Sequence, residues 1–457
     1  MRLSPDGTWR TAVRDAVAPR PRSRLRSLLV AAALAASSGC AATVAATDAS
    51  APDAGLIPDA TAPTDAGACP HGRSRCGRAC IDPAAACRPC GAACPTGLCA
   101  DGACVVAVEV VAGFNMTCAR LSDRTVRCWG ENHNGILGDS TIDLRRSPHP
   151  IAGLAGAVQL TTSRHNCALI EDGTVQCWGN NSFGELGGRS SAASDPTPGA
   201  VPGLQGVVQL ACGGRHTCAV LADATVRCWG RNSFGELGDG TATNLRPTPV
   251  AVTGLTGVAQ VVTAWGYSCA GLLDGTVRCW GTYNAPDLLG AGAADRRRPF
   301  PVVGLAGVTQ LSSTAGAHVC AVTSDGAVRC WGSNYWGELG DGTTIDRLSP
   351  TATVGLTGVV GVAAGYRRTC AALADGTARC WGDNSFGELG DGTVVNPRTS
   401  PRPVVGLGGV AAVTTGLDHS CALLTNGSVR CWGDNSHGET GVGSMDLTVT
   451  APRPVAW

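Results

Sequence analysis

Short apolar segments alternate with polar turns along most of this chain, and one such unit recurs seven times. In its sixth copy, two apolar segments flank the turn Ala374-Asp375-Gly376, between Cys370 and Cys380. A three-residue loop that ends in glycine is typical of a tight β-hairpin, because its last residue takes a left-handed conformation. The pattern therefore predicts seven hairpins, and five of them have glycine after the turn residue: Gly173, Gly275, Gly326, Gly376 and Gly427.

Each hairpin carries two cysteines ten residues apart, and the first cysteines recur every 49 to 51 residues. A turn centred on Asp375 places Cys370 directly opposite Cys380. Facing residues of a non-hydrogen-bonded pair lie within disulfide range. We therefore expect one disulfide within each hairpin, rather than buried free thiols. The expected pairs are Cys118 with Cys128, Cys167 with Cys177, Cys218 with Cys228, Cys269 with Cys279, Cys320 with Cys330, Cys370 with Cys380, and Cys421 with Cys431.

Each repeat offers four short strands. In the unit that contains Cys269 they are a strand after Pro249, a strand around Val258–Thr263 and the two hairpin strands. Radial repetition hides the edges of such sheets. The pattern predicts an all-β fold, a seven-bladed β-propeller of four-stranded antiparallel blades over residues 105–457. Strand starts are expected near Pro150, Val201, Pro249, Pro301, Pro350, Pro403 and Pro454.

Connection lengths suggest where one blade ends and the next begins. The Gly-Leu-x-Gly turn and the hairpin turn are short, whereas the loop after each Trp-Gly is long. We expect the long loop to cross between blades, so that blade one lacks its first strand. The segment Pro452–Val455 would then pair beside Val105–Val111 and close the ring as a clasp, protecting an open sheet edge.

The first 104 residues differ in composition from the repeats. Residues 1–40 predict an export signal, in which arginines precede an apolar run from Leu28 to Ala36 and Cys40 follows it. This ending resembles the lipobox of bacterial lipoproteins, in which the cysteine is lipidated, although Ser37 departs from that pattern. Plain secretion is the alternative. We expect a monomer in the cell envelope, anchored to the membrane by lipid, or an extracellular one.

Residues 41–68 contain Ala, Thr, Pro and Asp without aromatic residues and predict a disordered linker. Residues 69–104 hold eight cysteines, which indicate four disulfides of undetermined connectivity in an exported chain. Zinc is the alternative there, because Cys87 and Cys90 have ligand spacing. Cysteine counting leaves Cys212 without a partner.

The repeat has a consensus that extends from the loop before the first cysteine to the end of the loop after Trp-Gly. In the third copy its residues are Gly213, His216, Trp229, Gly230, Asn232, Gly235, Leu237, Gly238, Asp239, Gly240 and Thr241. This consensus resembles the regulator-of-chromosome-condensation repeat family over residues 105–457. That resemblance implies a propeller whose known members include an exchange factor for a nuclear GTPase, an ultraviolet photoreceptor and secreted inhibitors of β-lactamase.

Departures from the family argue against two of these roles. Paired cysteines and an export signal place the chain outside the compartment of a nuclear GTPase. The photoreceptor uses clustered tryptophans in the loop before each first cysteine. In this chain we identify aromatic rings at that loop position only at Trp265 and Tyr366.

Chemical motifs do not indicate an enzyme. Zero net charge gives no indication of a nucleic-acid partner. The glutamates of the Gly-Glu-Leu-Gly segments repeat and are interpreted as turn residues, and no hydrolase or phosphate-loop motif occurs. We expect no catalytic residue, cofactor or metal. A ring of histidines could bind a metal, but we interpret these four as structural: His165, His216, His318 and His419.

The loop before each first cysteine and the long loop after Trp-Gly must share one face of the propeller, because alternate connections emerge on the same side. That face holds most of the chain's departures from its repeat. We expect it to bind a protein or glycan partner, since Trp, Tyr and Arg form binding hot spots. A secreted propeller hydrolase or lyase, an exchange-type regulator and a structural envelope protein are the alternatives. The predicted binding residues are Arg164, Arg215, Trp265, Tyr267, Trp336, Tyr366, Arg367 and Arg368.

Overall fold

The computed structural model describes residues 74–76, 79–81, 94–100, 103–281, 296–314 and 316–457. The predicted signal segment with Cys40, the linker 41–68 and most of the Cys-rich segment lie outside the described residues. Within the described part of the chain, no helix is both long and apolar enough to span a bilayer.

Two short hairpins precede the propeller. The first pairs β1 (Ser74–Cys76) with β2 (Ala79–Ile81), and the second pairs β3 (Leu98–Ala100) with β4 (Ala103–Val105). A disulfide joins Cys94 to Cys104. Leu98 packs against the apolar cluster that lies between the first and last blades. The end of the Cys-rich segment is therefore attached to the propeller.

Seven four-stranded antiparallel sheets follow, as predicted. Blade one contains β5 (Ala107–Ala112), β6 (Met116–Leu121), β7 (Val126–Gly130) and β8 (Arg145–Pro150). Blade two contains β9 (Ala157–Thr162), β10 (His165–Ile170), β11 (Val175–Asn180) and β12 (Ser194–Ala200). Blade three contains β13 (Val207–Cys212), β14 (His216–Leu221), β15 (Val226–Arg231) and β16 (Leu245–Ala251). Blade four contains β17 (Val258–Thr263), β18 (Tyr267–Leu272), β19 (Val277–Gly281) and β20 (Phe300–Pro301).

The remaining blades have the same strand order. Blade five contains β21 (Val308–Ser312), β22 (His318–Thr323), β23 (Val328–Gly332) and β24 (Arg347–Ala352). Blade six contains β25 (Val359–Ala364), β26 (Arg368–Leu373), β27 (Ala378–Gly382) and β28 (Arg398–Pro403). Blade seven contains β29 (Val410–Thr415), β30 (His419–Leu424), β31 (Val429–Asp434) and β32 (Thr448–Pro454). One turn of 3-10 helix, His133–Gly135, lies between β7 and β8.

The hairpin register is the one predicted from cysteine spacing. Cys118 faces Cys128 across β6 and β7, and their Cα atoms are 4.1 Å apart. Each disulfide joins the two middle strands of one blade. The other six bonds have Cα separations of 4.0–4.1 Å and join Cys167 to Cys177, Cys218 to Cys228, Cys269 to Cys279, Cys320 to Cys330, Cys370 to Cys380, and Cys421 to Cys431. Among the described residues, Cys212 is the free cysteine, and it is buried.

The predicted division into blades was wrong. The segment that ends at Pro150 is the fourth strand of blade one and pairs with β7, so these strands end near the prolines instead of starting there. In the same way β32 pairs with β31 inside blade seven, not beside Val105–Val111. The long loop joins the third and fourth strands of a single blade. We predicted a crossing from the length of this loop, but the loop returns to its own blade, and only its Gly-Glu-Leu-Gly part packs on the next one, as where Trp229 donates to Glu185 O.

The ring closes instead through contacts between complete blades. First strands of neighbouring blades contact one another, including β29 with β5, so first strands surround the axis. At the closing junction, Trp129 donates its indole N–H to Glu439 O at 3.0 Å. Val455 is buried in the same apolar cluster, and Trp457 meets Trp129 edge to face. The C-terminus thus supports the closure by packing, without adding a strand to blade one.

The core consists of seven layers, one between each pair of adjacent blades. At the centre of each layer is the tryptophan of a Trp-Gly pair, and all seven are fully buried: Trp129, Trp178, Trp229, Trp280, Trp331, Trp381 and Trp432. The glycine that follows is also required by geometry. Gly130 has φ of 109°, and a Cβ there would lie 2.4 Å from Asn115 O. This glycine lets β7 pass close to the loop before β6.

Glutamine side chains join neighbouring first strands near the axis. Gln159 donates to Leu210 O at 3.1 Å and accepts from Leu210 N at 2.9 Å. The next three repeats place glutamine at the same position with the same pair of bonds: Gln209, Gln260 and Gln310. These double hydrogen bonds satisfy backbone groups that the inner strand edge leaves open.

Candidate functional site

One face of the propeller carries two loops from each blade. We call the short loop between first and second strands the mouth loop, as at residues 113–115, and the long loop between third and fourth strands the rim loop, as at 131–144. The structure confirms that both emerge on the same face, because they line one cavity. The hairpin turns, such as the one at Leu273, emerge on the opposite face.

Mouth loops from six blades surround a cavity of about 620 Å³ at the axis, which we call the mouth. Its lining combines aromatic rings with both signs of charge. Among the described residues, those of blade three do not line it. The lining residues are Phe114, Arg164, Trp265, Gly316, Ala317, Tyr366, Arg367, Asp383, Ser385, Phe386, Leu417 and Asp418.

On one side of the mouth, an arginine lies between two aromatic rings. The Arg164 guanidinium carbon lies 4.4 Å from the Phe114 ring centre and 4.8 Å from that of Trp265. Arg215 continues the stack, 5.3 Å from the Trp265 ring. Burial lowers the pKa of Arg164, and the charge of Arg215 lowers it further. Cation–π contacts hold these two like charges together despite their repulsion.

Trp265 leans over blade three, which explains why that blade does not line the mouth. A Cβ on Gly214 would come within 2.5 Å of the Trp265 ring. Gly214 therefore makes room for the indole to lie across the neighbouring mouth loop. The sequence Gly213-Gly214 in blade three and the tryptophan in blade four act as one local unit.

A second arginine–aromatic group lies across the mouth. Arg367 lies 4.5 Å from the Tyr366 ring centre and 5.0 Å from that of Trp336. Its guanidinium also donates to the Tyr366 hydroxyl at 3.2 Å and lies 3.9 Å from Asp383. Of the predicted binding residues, Trp265, Tyr366, Arg164 and Arg367 thus line the mouth. Arg215 and Trp336 support it from behind.

The blade six and seven side of the mouth carries two carboxylates, Asp383 and Asp418, together with Arg367. Burial raises the pKa of Asp418, Arg368 opposes that shift, and the charges of Asp434 and Asp383 raise it further. Among its charged lining residues, the mouth therefore has Arg164 alone on blades one to four, and Arg367 together with the carboxylates of Asp383 and Asp418 on blades six and seven. This polarity can orient a bound partner.

Two predicted binding residues are not on the surface. Tyr267 is buried, and its hydroxyl contacts Ser313 Oγ and His318 O, each at 2.9 Å. Arg368 is fully buried and donates to Ser420 Oγ at 3.1 Å, to Leu417 O at 2.7 Å and to His419 O. Neither side chain can reach a partner. The prediction missed this because both replace the repeat histidine, whose side chain points into the blade junction.

The four histidines are structural in this arrangement, as interpreted from the sequence. Each ring Nε2 hydrogen-bonds a hydroxyl on the next blade, as His216 does with Ser268 Oγ at 2.8 Å. Burial lowers the pKa of each to about 3, so they are neutral. His165 and Cys167 lie near Cys212, but Cys167 is in a disulfide. Burial raises the pKa of the Cys212 thiol to about 12, so that thiol is unreactive.

The repeated glutamates close the rim loops. Glu185 accepts a hydrogen bond at 2.7 Å from the backbone N–H two residues earlier, at Phe183. Four more glutamates make the same bond: Glu236, Glu338, Glu388 and Glu439. Burial raises the pKa of all five. Their position supports the interpretation of turn residues.

Sequence reasoning missed Phe114, Leu417, Asp383 and Asp418. The statement that only Trp265 and Tyr366 place aromatic rings in mouth loops was wrong, because Phe114 occupies the matching position in blade one. Met116 replaces the repeat histidine two residues later and hides the alignment. Counting back four residues from Cys118 would have found Phe114. Asp383 and Asp418 could not be identified from the sequence pattern, because they lie in different repeats and only the fold brings them to the same cavity.

Comparison with known proteins identifies relatives of the repeat region. A model described as the RCC1-like domain matches residues 163–456, and one for the regulator of chromosome condensation (RCC1) repeat matches residues 107–136. The ultraviolet-B receptor UVR8 of Arabidopsis thaliana is 31% identical over 268 residues, covering 56% of this chain and 60% of the receptor. The E3 ubiquitin-protein ligase HERC2 of Homo sapiens is 31% identical over 274 residues, covering 57% of this chain and 6% of the ligase.

Solved structures agree on the fold. Yeast RCC1 (Prp20), seen bound to Kap60, superimposes with a TM-score of 0.64 at 22% identity, covering 77% of this chain and 85% of that one. Human WBSCR16 gives 0.60 at 24% identity, covering 68% and 84%. With a family model matching more than half of its length, this chain belongs to the RCC1-like domain family.

Proposed function

We propose that this protein is a non-enzymatic binding module that holds a protein partner at the mouth. The observation that carries the proposal is the mouth itself, a concave site where Trp265, Tyr366 and Phe114 stand beside oriented charges. Aromatic rings held by arginine lose little side-chain freedom on binding, which favours affinity. The carboxylates of Asp383 and Asp418 add negative charge on the blade six and seven side only, which can orient a partner.

Relatives support a binding role in a general way. Yeast RCC1 has been solved with Kap60 bound, and binding properties to Gsp1p and histones have been studied for Prp20p. Those partners belong to those proteins. In this chain the mouth loops differ from blade to blade, and we infer that the partner is particular to this sequence.

The proposal extends to location. The export signal and Cys40 would attach the protein to the envelope by lipid, and the linker 41–68 would let the propeller reach a partner there. Replacing Cys40 by Ser should release the protein from the membrane fraction. Wild-type protein that is already entirely soluble would contradict lipid anchoring and favour plain secretion.

The binding role is tested by cross-linking on the producing cells. The full chain and a Trp265→Ala/Tyr366→Ala variant are compared by quantitative mass spectrometry of cross-linked partners. Leu273→Ser is the matched control, because Leu273 is 73% exposed on the opposite face. A specific partner should fall at least tenfold with the mouth variant and be unchanged with the control.

Equal recovery with all three proteins would contradict the mouth as the binding surface. Loss of cross-linking after glycosidase treatment of the cells, with protein partners unaffected, would show a glycan ligand instead. If the purified protein instead cleaves envelope material and releases a hydrolysed product, the alternative of a hydrolase would be favoured.

A further inference from the structure

A second cavity lies beside the mouth, between blades one and two, and we call it the side pocket. Its volume is about 250 Å³, and its lining includes Asn134 and Ile136 of blade one and Arg164 of blade two. Phe114 and Arg164 line both cavities, so the side pocket adjoins the mouth. Pockets for drug-sized ligands have volumes of roughly 300–1,000 Å³, so this smaller pocket suits a single ring or side chain.

At two other junctions the chain itself places an aromatic ring against an arginine. Arg215 of blade three lies 4.8 Å from the ring centre of Phe183, in the rim loop of blade two. Arg367 of blade six lies 5.0 Å from the ring centre of Trp336, in the rim loop of blade five. Each arginine directly precedes the histidine position of the repeat, and each ring stands two residues before the repeated glutamate. The repeat thus pairs a mouth-loop arginine with a rim-loop ring of the preceding blade.

The junction of blades one and two has the arginine without the ring. Arg164 occupies the repeat position of Arg215 and Arg367. In the rim loop of blade one, Asn134 stands at the ring position and Ile136 replaces the repeated glutamate. Both Asn134 and Arg164 line the side pocket, which therefore lies where the other two junctions place a ring.

Two polar groups of the side pocket have unused hydrogen-bonding capacity. The Nε of Arg164 is buried and has no hydrogen-bond partner among the residues that the structure describes. A ring placed in the side pocket would contact this guanidinium, because the face of an aromatic ring attracts a cation. The carboxylate of Glu131 also lines the pocket, and its Oε2 accepts from Asn115 Nδ2 at 2.7 Å. Its other oxygen can accept a hydrogen bond from a hydroxyl group.

We propose that the side pocket receives an aromatic side chain of the partner, a tyrosine, which supplies the ring that blade one lacks. The ring would stack on Arg164 and the hydroxyl would donate to Glu131, since a buried tyrosine hydroxyl usually finds a hydrogen-bond partner. This inference rests on the proposed function, because the partner held at the mouth provides the tyrosine. A buried tyrosine beside the mouth would be a binding hot spot.

Titration of the full, oxidised chain with para-fluorophenol, followed by fluorine NMR, tests the pocket without the partner. Phenol should displace this probe at least fivefold better than cyclohexanol, because only the aromatic ring stacks on a guanidinium. Asn134→Phe supplies the ring from the chain itself and should weaken probe binding at least tenfold. Ile142→Phe is the matched control, because it adds a ring to the same rim loop at a position that is 77% exposed.

A second variant is needed because Asn134 has φ of 61°, a conformation that strains phenylalanine. Arg164→Met keeps most of the length of the side chain, removes its charge and should weaken probe binding at least fivefold. Unchanged probe binding in Arg164→Met would overturn the inference, as would the absence of saturable binding by the wild type. Loss of binding in Tyr366→Ala but not in Asn134→Phe would place the probe in the mouth and would also overturn it.

Cross-linking on the producing cells separates this inference from the proposed function. Recovery of the partner should fall at least fivefold with Asn134→Phe and be unchanged with Ile142→Phe. Equal recovery with Asn134→Phe and wild type would overturn the inference and leave binding at the mouth intact. If no protein captures a partner, the proposed function fails together with the partner's tyrosine, whereas the probe still decides whether the side pocket accepts an aromatic ring.

Discussion

Trp129 and Trp265 show two different uses of the same residue type. Trp129 is one of seven identical tryptophans at blade junctions, fully buried and hydrogen-bonded to the neighbouring blade. Trp265 stands in a mouth loop, partly exposed, at a position where the side chain changes from blade to blade. The junctions repeat because every blade must pack on the next in the same way. The mouth varies because no packing rule constrains it, and binding specificity can therefore develop there.

The largest expected effect is at a junction. Trp129→Ala should lower the free energy of unfolding by about 3–5 kcal/mol, because it leaves a large cavity between blades seven and one. Trp265→Ala should cost about 1 kcal/mol, since it removes one partly exposed cation–π group. Urea denaturation followed by circular dichroism measures both. If the two variants lost similar amounts of unfolding free energy, the junction and mouth tryptophans would not differ in their contribution to stability.

Arg368 provides the second test. It was predicted to bind a partner at the mouth, but in the structure it is buried at the junction between blades six and seven. Arg368→Ala should cost on the order of 3 kcal/mol, since several backbone carbonyls of blade seven lose their donor. Arg368→His, which restores the repeat residue, should recover much of that loss through a bond to Ser420. If Arg368→Ala were as stable as the wild type, a structural role for Arg368 at the junction would be contradicted.

Junction histidines should make the fold sensitive to acid. The pKa of His216 is about 3 in the folded protein, below its unfolded value near 6.5. Below pH 6.5 the unfolded chain takes up a proton that the folded chain does not, so stability falls as the pH falls toward 3. Wild type should lose about 1.4 kcal/mol per pH unit more than His216→Gln over that range. The buried glutamates titrate in both proteins, so their contribution cancels in the difference between wild type and His216→Gln. If the two curves of stability against pH were parallel, a neutral, buried His216 would be contradicted.

The smallest stability effect is expected at Gly214. Gly214→Ala places a methyl group against the Trp265 ring and should cost about 1 kcal/mol or less, because the ring can swing outward. Partner binding should nevertheless fall about as much as in Trp265→Ala. Gly408→Ala is the control, since no atom lies within 4 Å of its added methyl group. Unchanged binding by Gly214→Ala would mean that the position of the indole is unimportant.

The sequence predicted best what repeats. Spacing between Cys118 and Cys128 gave the hairpin register, since facing positions in a sheet follow from counting. The blade boundary could not be found in this way. Loop length does not reveal that residues 131–144 both return to their own blade and pack on the next, because packing depends on contacts distant in sequence.

The site was predicted only in part, for a related reason. Trp265 and Tyr366 were visible as departures from the repeat. Tyr267 and Arg368 were departures too, but their side chains point into the junction. A shift of one or two residues along the mouth loop decides whether a side chain faces the mouth or the next blade. The carboxylates of Asp383 and Asp418 come from different blades and meet only after folding.

The contiguity of each blade has a consequence for how the chain reaches its folded state. All four strands of a blade, and its disulfide, come from one continuous stretch such as residues 107–150, so most early contacts are local and form quickly. A chain that emerges segment by segment can complete blade after blade in order, without waiting for its own end. One step is different: Thr117 and His419 are 302 residues apart and meet only when the ring closes. Assembly of this protein is therefore sequential through six junctions and delayed at the seventh.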